Sequence, residues 1–133
     1  SSAQFQRVIV APTRKLVNRV RELGVTAPII GFPRGAGAQI GAYANETGVT
    51  ALGVDTQTPA AFAIDVAPEG MPLQGNLDPL SLVVGGDALE RAARDVIEAF
   101  KGAPHIFNLG HGITPDATPE NMARLIQVVK GGA

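Results

Sequence analysis

Apolar residues recur at helical spacing at Phe5, Val8, Ile9, Leu16, Val17, Val20 and Leu23, which predicts a helix over roughly residues 3–23. Pro12 lies inside it and should kink or divide it, because the ring removes an N–H and crowds the preceding turn. Gly24 supplies the C-terminal stop. The run Pro28-Ile29-Ile30-Gly31-Phe32 reads as a short buried strand and empties into Pro33-Arg34-Gly35-Ala36-Gly37. A small-residue helix follows from about Ala38 to Thr47, ended by Gly48. Thr50-Ala51-Leu52-Gly53-Val54 is a second buried strand, leading to Asp55 and a helix that starts near Pro59. Met71-Pro72-Leu73-Gln74-Gly75 is a third strand, weaker by composition, ending at Asn76-Leu77-Asp78-Pro79. Asp87 is expected to cap the next helix, with Glu90 as its capping-box partner and Leu89, Ala92, Ala93, Val96, Ile97 and Phe100 as its apolar stripe. His105-Ile106-Phe107-Asn108-Leu109 is a fourth strand, followed by Gly110-His111-Gly112. Thr118-Pro119-Glu120 opens the last helix, with Met122, Leu125, Ile126 and Val129 inward and Lys130-Gly131 at its end.

The order is a helix and then four strand–helix units. Strands that read as continuous apolar runs and alternate with helices argue for an α/β fold with a parallel sheet covered by helices. Two architectures fit: an open doubly wound sheet, or part of a (β/α)8 TIM-type barrel. A whole barrel needs eight strands and about 250 residues, so a chain of 133 residues would supply half of one. A half-barrel leaves two unpaired sheet edges, which another chain would have to cover.

Composition narrows the chemistry. The 45% hydrophobic content is ample for a packed core, and no run approaches the apolar length of a membrane span, about 18 residues. Neither a membrane partner nor a secretion signal is expected, so a cytoplasmic enzyme is the default expectation. The absence of cysteine removes disulfides, thiolate metal sites and cysteine nucleophiles. The net charge of −1 conceals an asymmetry: residues 1–34 carry +5 and the remainder −6. That basic stretch is either a solvated outer face or a means of steering an anionic ligand. With 5% aromatics, no Trp and no reading motif, nucleic acid is not an expected partner.

In either parallel architecture ligands bind beyond the carboxyl ends of the strands. Applied here, that rule marks Arg34 after the first strand, Asp55 after the second, Asn76 and Asp78 after the third and His111 after the fourth. Each of the first four has a structural alternative. Arg34 could pair with a carboxylate, Asp55 could organise the turn before its helix, and Asn76 and Asp78 have turn-forming neighbours in Gly75 and Pro79. His111 lies between two glycines, which offer no apolar side chain to bury it and favour a ligand-facing imidazole. His105 opens its strand at the opposite rim and reads as structural. Gly35-Ala36-Gly37 invites a phosphate-cradle reading, but no Lys-Ser/Thr pair follows. With two histidines separated by a strand, no metal site is expected, and Ser1, Ser2 and Ser81 lack a nucleophile-elbow context.

At these same residues the chain resembles the uroporphyrinogen decarboxylase family. Leu73-Gln74-Gly75-Asn76-Leu77-Asp78-Pro79 and Phe107-Asn108-Leu109-Gly110-His111-Gly112-Ile113 carry the resemblance, followed by Pro115-Asp116 and Thr118-Pro119-Glu120-Asn121. Ile30-Gly31-Phe32, Arg34-Gly35-Ala36-Gly37 and Leu52-Gly53-Val54-Asp55 support it. Many members have Trp after that aspartate, where this chain has Thr56. The resemblance implies a (β/α)8 barrel of which residues 1–133 supply about the last four β/α units, the C-terminal half. It implies a cytoplasmic homodimer, free of cofactor and metal, that removes the acetate carboxyls of uroporphyrinogen III to give coproporphyrinogen III in haem biosynthesis. His111 matches a family histidine that contacts the tetrapyrrole, while the catalytic aspartate is expected upstream, so the chain alone should be inactive.

Two other readings stand beside it. Corrinoid-linked and methionine-type methyltransferases share the barrel, but they bind zinc through histidine and cysteine, and this chain has no cysteine. A non-catalytic half-barrel that associates with itself, or with a missing N-terminal half, is the other, and the open sheet edges motivate it.

Overall fold

The computed structural model describes residues 1–131. The chain opens with α1 (Ser2–Phe5), passes through a π-helical turn at Gln6–Val10 and continues as α2 (Ala11–Glu22). The division expected at Pro12 is this wide turn: the Ala11 N–H reaches back to Gln6 O, five residues earlier. The residue added to the turn rotates the following face by about 100°. Val10 and Val17 therefore reach the core. Val8, Ile9, Leu16 and Leu23 from the expected stripe do not, and Leu16 is 65% exposed.

Four strands follow: β1 (Ile30–Gly31), β2 (Ala51–Gly53), β3 (Leu73–Leu77) and β4 (His105–Leu109). All pairings are parallel and the spatial order is β1-β2-β3-β4. β4 has the expected bounds. β1 is shorter than Pro28–Phe32, since the prolines at 28 and 33 hem in its ladder. β3 is displaced two residues from Met71–Gly75: Pro72 has no N–H for the ladder, and the alternation of Leu73, Gly75 and Leu77 puts those three on the buried face. Asn76 consequently belongs to the strand and not to the loop after it.

Helices fill the connections. A 3-10 turn (Gly37–Gln39) leads into α3 (Ile40–Glu46), and α4 (Ala60–Val66) starts behind Pro59. A short helix the periodicity did not announce, α5 (Leu80–Val84), is started by Asp78, whose Oδ1 accepts the Leu80 N–H at 2.9 Å. It runs almost directly into α6 (Gly86–Ala99), so the cap position falls on Gly85 and not on Asp87. Asp87 and Glu90, expected as a cap and its box partner, instead both accept from Arg124 of α7 (Pro119–Gly131), at 3.3 and 2.8 Å. In α7, Leu125 and Val128 are buried, whereas Ile126, expected inward, is exposed.

One core joins Val10, Val17, Ile40, Tyr43, Leu52, Val54, Leu73 and Phe100, and a second joins Leu77, Leu82, Leu89, Ala93, Leu125 and Val128. The strand residues in both come from one face of the sheet, so the helices cover that face. The opposite face carries Ile30, Phe32, Gln74, Ile106 and Asn108, and Ile30, Phe32 and Ile106 are 48%, 45% and 44% exposed. The expectation of strands buried on both sides is thus met only on one. Sequential strand order with helices on a single face is the winding of a (β/α)8 barrel, not of a doubly wound sheet, and the bare face is the one a barrel turns inward.

Candidate functional site

The loop after β2 is the most tightly built part of the rim. Asp55 is 6% exposed, and its Oδ2 accepts the Gly35 N–H at 2.7 Å. Its Oδ1 accepts from Gln57 N at 3.2 Å and Thr58 Oγ1 at 2.8 Å. Burial works against the charge of this carboxylate, but the hydrogen bonds from Gly35, Thr58 and Gln57 outweigh it and hold the pKa below its usual 3.8. Asn76, reaching from β3, donates its amide to Asp55 O at 3.2 Å and Thr58 O at 2.8 Å. The turn around Asp55 is thereby tied to β3 and to the loop after β1. The Gly35 N–H, part of the glycine-rich stretch, faces an internal carboxylate instead of open solvent.

The remaining sequence-marked residues are placed differently. Arg34 is exposed and has no hydrogen bond or ion pair among the described residues. Asp78 is exposed and starts α5. His111 stands where the loop after β4 turns over the bare face of the sheet. Its Nδ1 is 3.1 Å from Gly112 O, and a carbonyl only accepts, so Nδ1 carries the proton there and Nε2 is left for a ligand. Gly110 sets the approach of this loop: a Cβ there would lie 2.5 Å from Thr56 N and 3.0 Å from the Asp55 carbonyl carbon. His111 is therefore seated through Gly110 on the backbone that Asp55 organises.

Beside His111 lies a cleft of about 460 Å³, lined by Ile30, Phe32, Gly53, Gln74, Asn108 and Ile113 among others. Gln74 and Asn108 are polar groups that the strand-end rule missed, because they project from the sheet face and not from beyond it. Asn108 Oδ1 accepts the Leu109 N–H at 2.8 Å. Among the described residues no carboxylate lines this cleft, and Asp55 borders a separate hollow of about 270 Å³ with Gly35, Gly37 and Phe62. The cleft offers an apolar floor with neutral amides and one imidazole at its margin. That arrangement suits holding a flat, apolar-bodied ligand with polar substituents.

His105 is structural in its contacts, as its position at the opposite rim suggests. Its ring stacks on Phe100 with centroids 4.2 Å apart, and Nε2 donates to Gly75 O at 2.7 Å. Burial lowers its pKa from the usual 6.5, partly offset by that hydrogen bond. No three His, Asp or Glu side chains gather into a metal-binding group among the described residues.

With this geometry in hand, comparison with known proteins gives a consistent result. The family profile described as Uroporphyrinogen decarboxylase (URO-D) matches residues 1–132. A protein of Hyphomonas neptunium named uroporphyrinogen decarboxylase is 48% identical over 126 residues, 95% of this chain and 37% of the relative. A Sphingopyxis alaskensis protein of the same name is 48% identical over 132 residues, 99% of this chain and 39% of the relative. One from Gluconacetobacter diazotrophicus is 45% identical over 128 residues, 96% and 36% respectively. The chain thus spans a little over a third of the length of these relatives. Over that span, the chain belongs to the uroporphyrinogen decarboxylase family.

Proposed function

We propose that residues 1–133 are the C-terminal half of a uroporphyrinogen decarboxylase barrel, and that their bare sheet face forms one wall of the tetrapyrrole cleft. The observation that carries this reading is His111, held over an apolar cleft at the carboxyl end of β4 with Nε2 free. Uroporphyrinogen is a flat-bodied ring carrying ionised carboxylates on its rim. A carboxylate at Nε2 needs an N–H there while Nδ1–H faces Gly112 O, so the bound form is the imidazolium, a charge-assisted donor. His111 then binds and orients the substrate.

Arg34 is the further cation at the rim, exposed and suited to a second carboxylate. Asp55 and Asn76 hold the loops from which Arg34 and His111 project, and Asp78 starts α5 beside them. The acid–base chemistry of decarboxylation falls to a carboxylate supplied by the rest of the barrel. In this reading the complete protein is a cytoplasmic homodimer that acts in porphyrin biosynthesis, as the resemblance implies. The exposed apolar residues Leu80, Val83 and Val84 of α5 support an interface near the rim.

The test is a fusion in which this chain replaces the segment it matches in the Hyphomonas neptunium protein. His111→Ala in that fusion should raise KM for uroporphyrinogen at least about tenfold, the worth of one charge-assisted hydrogen bond, and change kcat much less. A large fall in kcat with KM unchanged would refute a binding role and assign His111 to the chemical step.

A further inference from the structure

We infer that Gln74 is a substrate-facing residue of the cleft, whose side-chain oxygen accepts a hydrogen bond from a ring N–H of the bound tetrapyrrole. This rests on the reading of the cleft as a tetrapyrrole site. β3 turns Leu73, Gly75 and Leu77 toward the helices, and all three are buried. Gln74 and Asn76 face the other way. The Asn76 amide is fully engaged with Asp55 O and Thr58 O. Gln74 Oε1 is buried and has no hydrogen-bond partner among the described residues.

Its neighbours across the ladder are Gly53 and Ile106, and neither has a side-chain donor. Thr114 Oγ1 is the other orphaned buried polar atom, but of the two it is Gln74 that lines the cleft with His111. A buried amide oxygen with no partner destabilises the free protein, and a strand of Leu, Ile or Val would avoid that cost. A residue that contradicts its local environment in this way is expected where function requires it.

The ligand's chemistry then fixes what meets the oxygen. Ionised acetate and propionate groups only accept hydrogen bonds, so the donors on a tetrapyrrole polycarboxylate are its ring N–H groups. With Gln74 in the middle of the sheet face and His111 at the margin, the ring centre lies over the sheet. One or more carboxylates then reach the rim.

Gln74→Met keeps the size of the side chain and removes the orphaned oxygen. Two readouts are taken on the chain: the thermal unfolding midpoint and binding of uroporphyrin, followed by its fluorescence. The variant should unfold at a temperature a few degrees higher than wild type and bind uroporphyrin about tenfold more weakly. A variant that is more stable yet binds equally well would overturn the contact with ligand while leaving the tetrapyrrole cleft intact. A variant that is less stable would overturn it too, by showing that the oxygen has a partner within the protein. Failure of wild-type chain to bind uroporphyrin would instead defeat the reading of the cleft, and this inference with it.

Discussion

Asp55 joins two loops with one carboxylate, and its two oxygens have separable tasks. An amide at this position keeps an acceptor for Gln57 and Thr58 but sets a donor against the Gly35 N–H. Asp55→Asn should therefore cost about 1.5–3 kcal/mol, the range for a hydrogen bond to a charged group, measured by urea denaturation. The pH dependence follows from two lowered pKa values. His105 and Asp55 both bind protons less readily folded than unfolded, so each contributes stability above its unfolded pKa that is lost as pH falls. Stability should drop first as pH falls below about 6.5, from His105, and again below 3.8, from Asp55. In urea titrations across pH, His105→Gln should remove the first drop and Asp55→Asn the second, and a flat profile for wild type would refute both assignments. At this scale the sequence marked His111 and Asp55 by their position after strands. Gln74 was invisible because its meaning lies in what pairs beside it. Gly53 and Ile106 come from other strands, and only the register brings them to Gln74.

At the scale of elements, periodicity located every strand but fixed the bounds only of β4. β3 slipped because the ladder needs an N–H that Pro72 lacks, a constraint that an apolar run does not express. The N-terminal helix was found, but its face was misread. One wide turn ahead of Pro12 moved Val10 into the core and left Leu16 in solvent, and spacing counted at a constant 3.6 residues cannot register that. The two leucines give a direct check. Leu73→Ala, deleting a fully buried side chain beneath the helices, should cost about 2–5 kcal/mol. Leu16→Ala, on the exposed side of α2, should change stability by no more than about 0.5 kcal/mol. Denaturant midpoints for the two variants decide this, and an equal loss would mean that the face of α2 is wrongly placed.

For the whole molecule, the decisive feature is a parallel sheet covered on one side only. Ile30, Phe32 and Ile106 stand exposed on the other side, and β1 and β4 have no outer neighbours among the described residues. The sequence left a doubly wound sheet and a half-barrel equally open, because a strand's apolar run does not say whether helices lie on one face or two. Strand order and the bare face distinguish them. The same face holds the cleft, so completing the sheet and completing the site are one event in this account. Its central claim is that this chain supplies a binding wall and the rest of the barrel supplies the catalytic carboxylate. The direct measurement is anaerobic conversion of uroporphyrinogen to coproporphyrinogen by this chain alone, by the remainder of the Hyphomonas neptunium protein alone, and by the two mixed. The account predicts product in the mixture and in neither part by itself. Product from this chain alone, or none from a mixture whose parts are both folded, would contradict it.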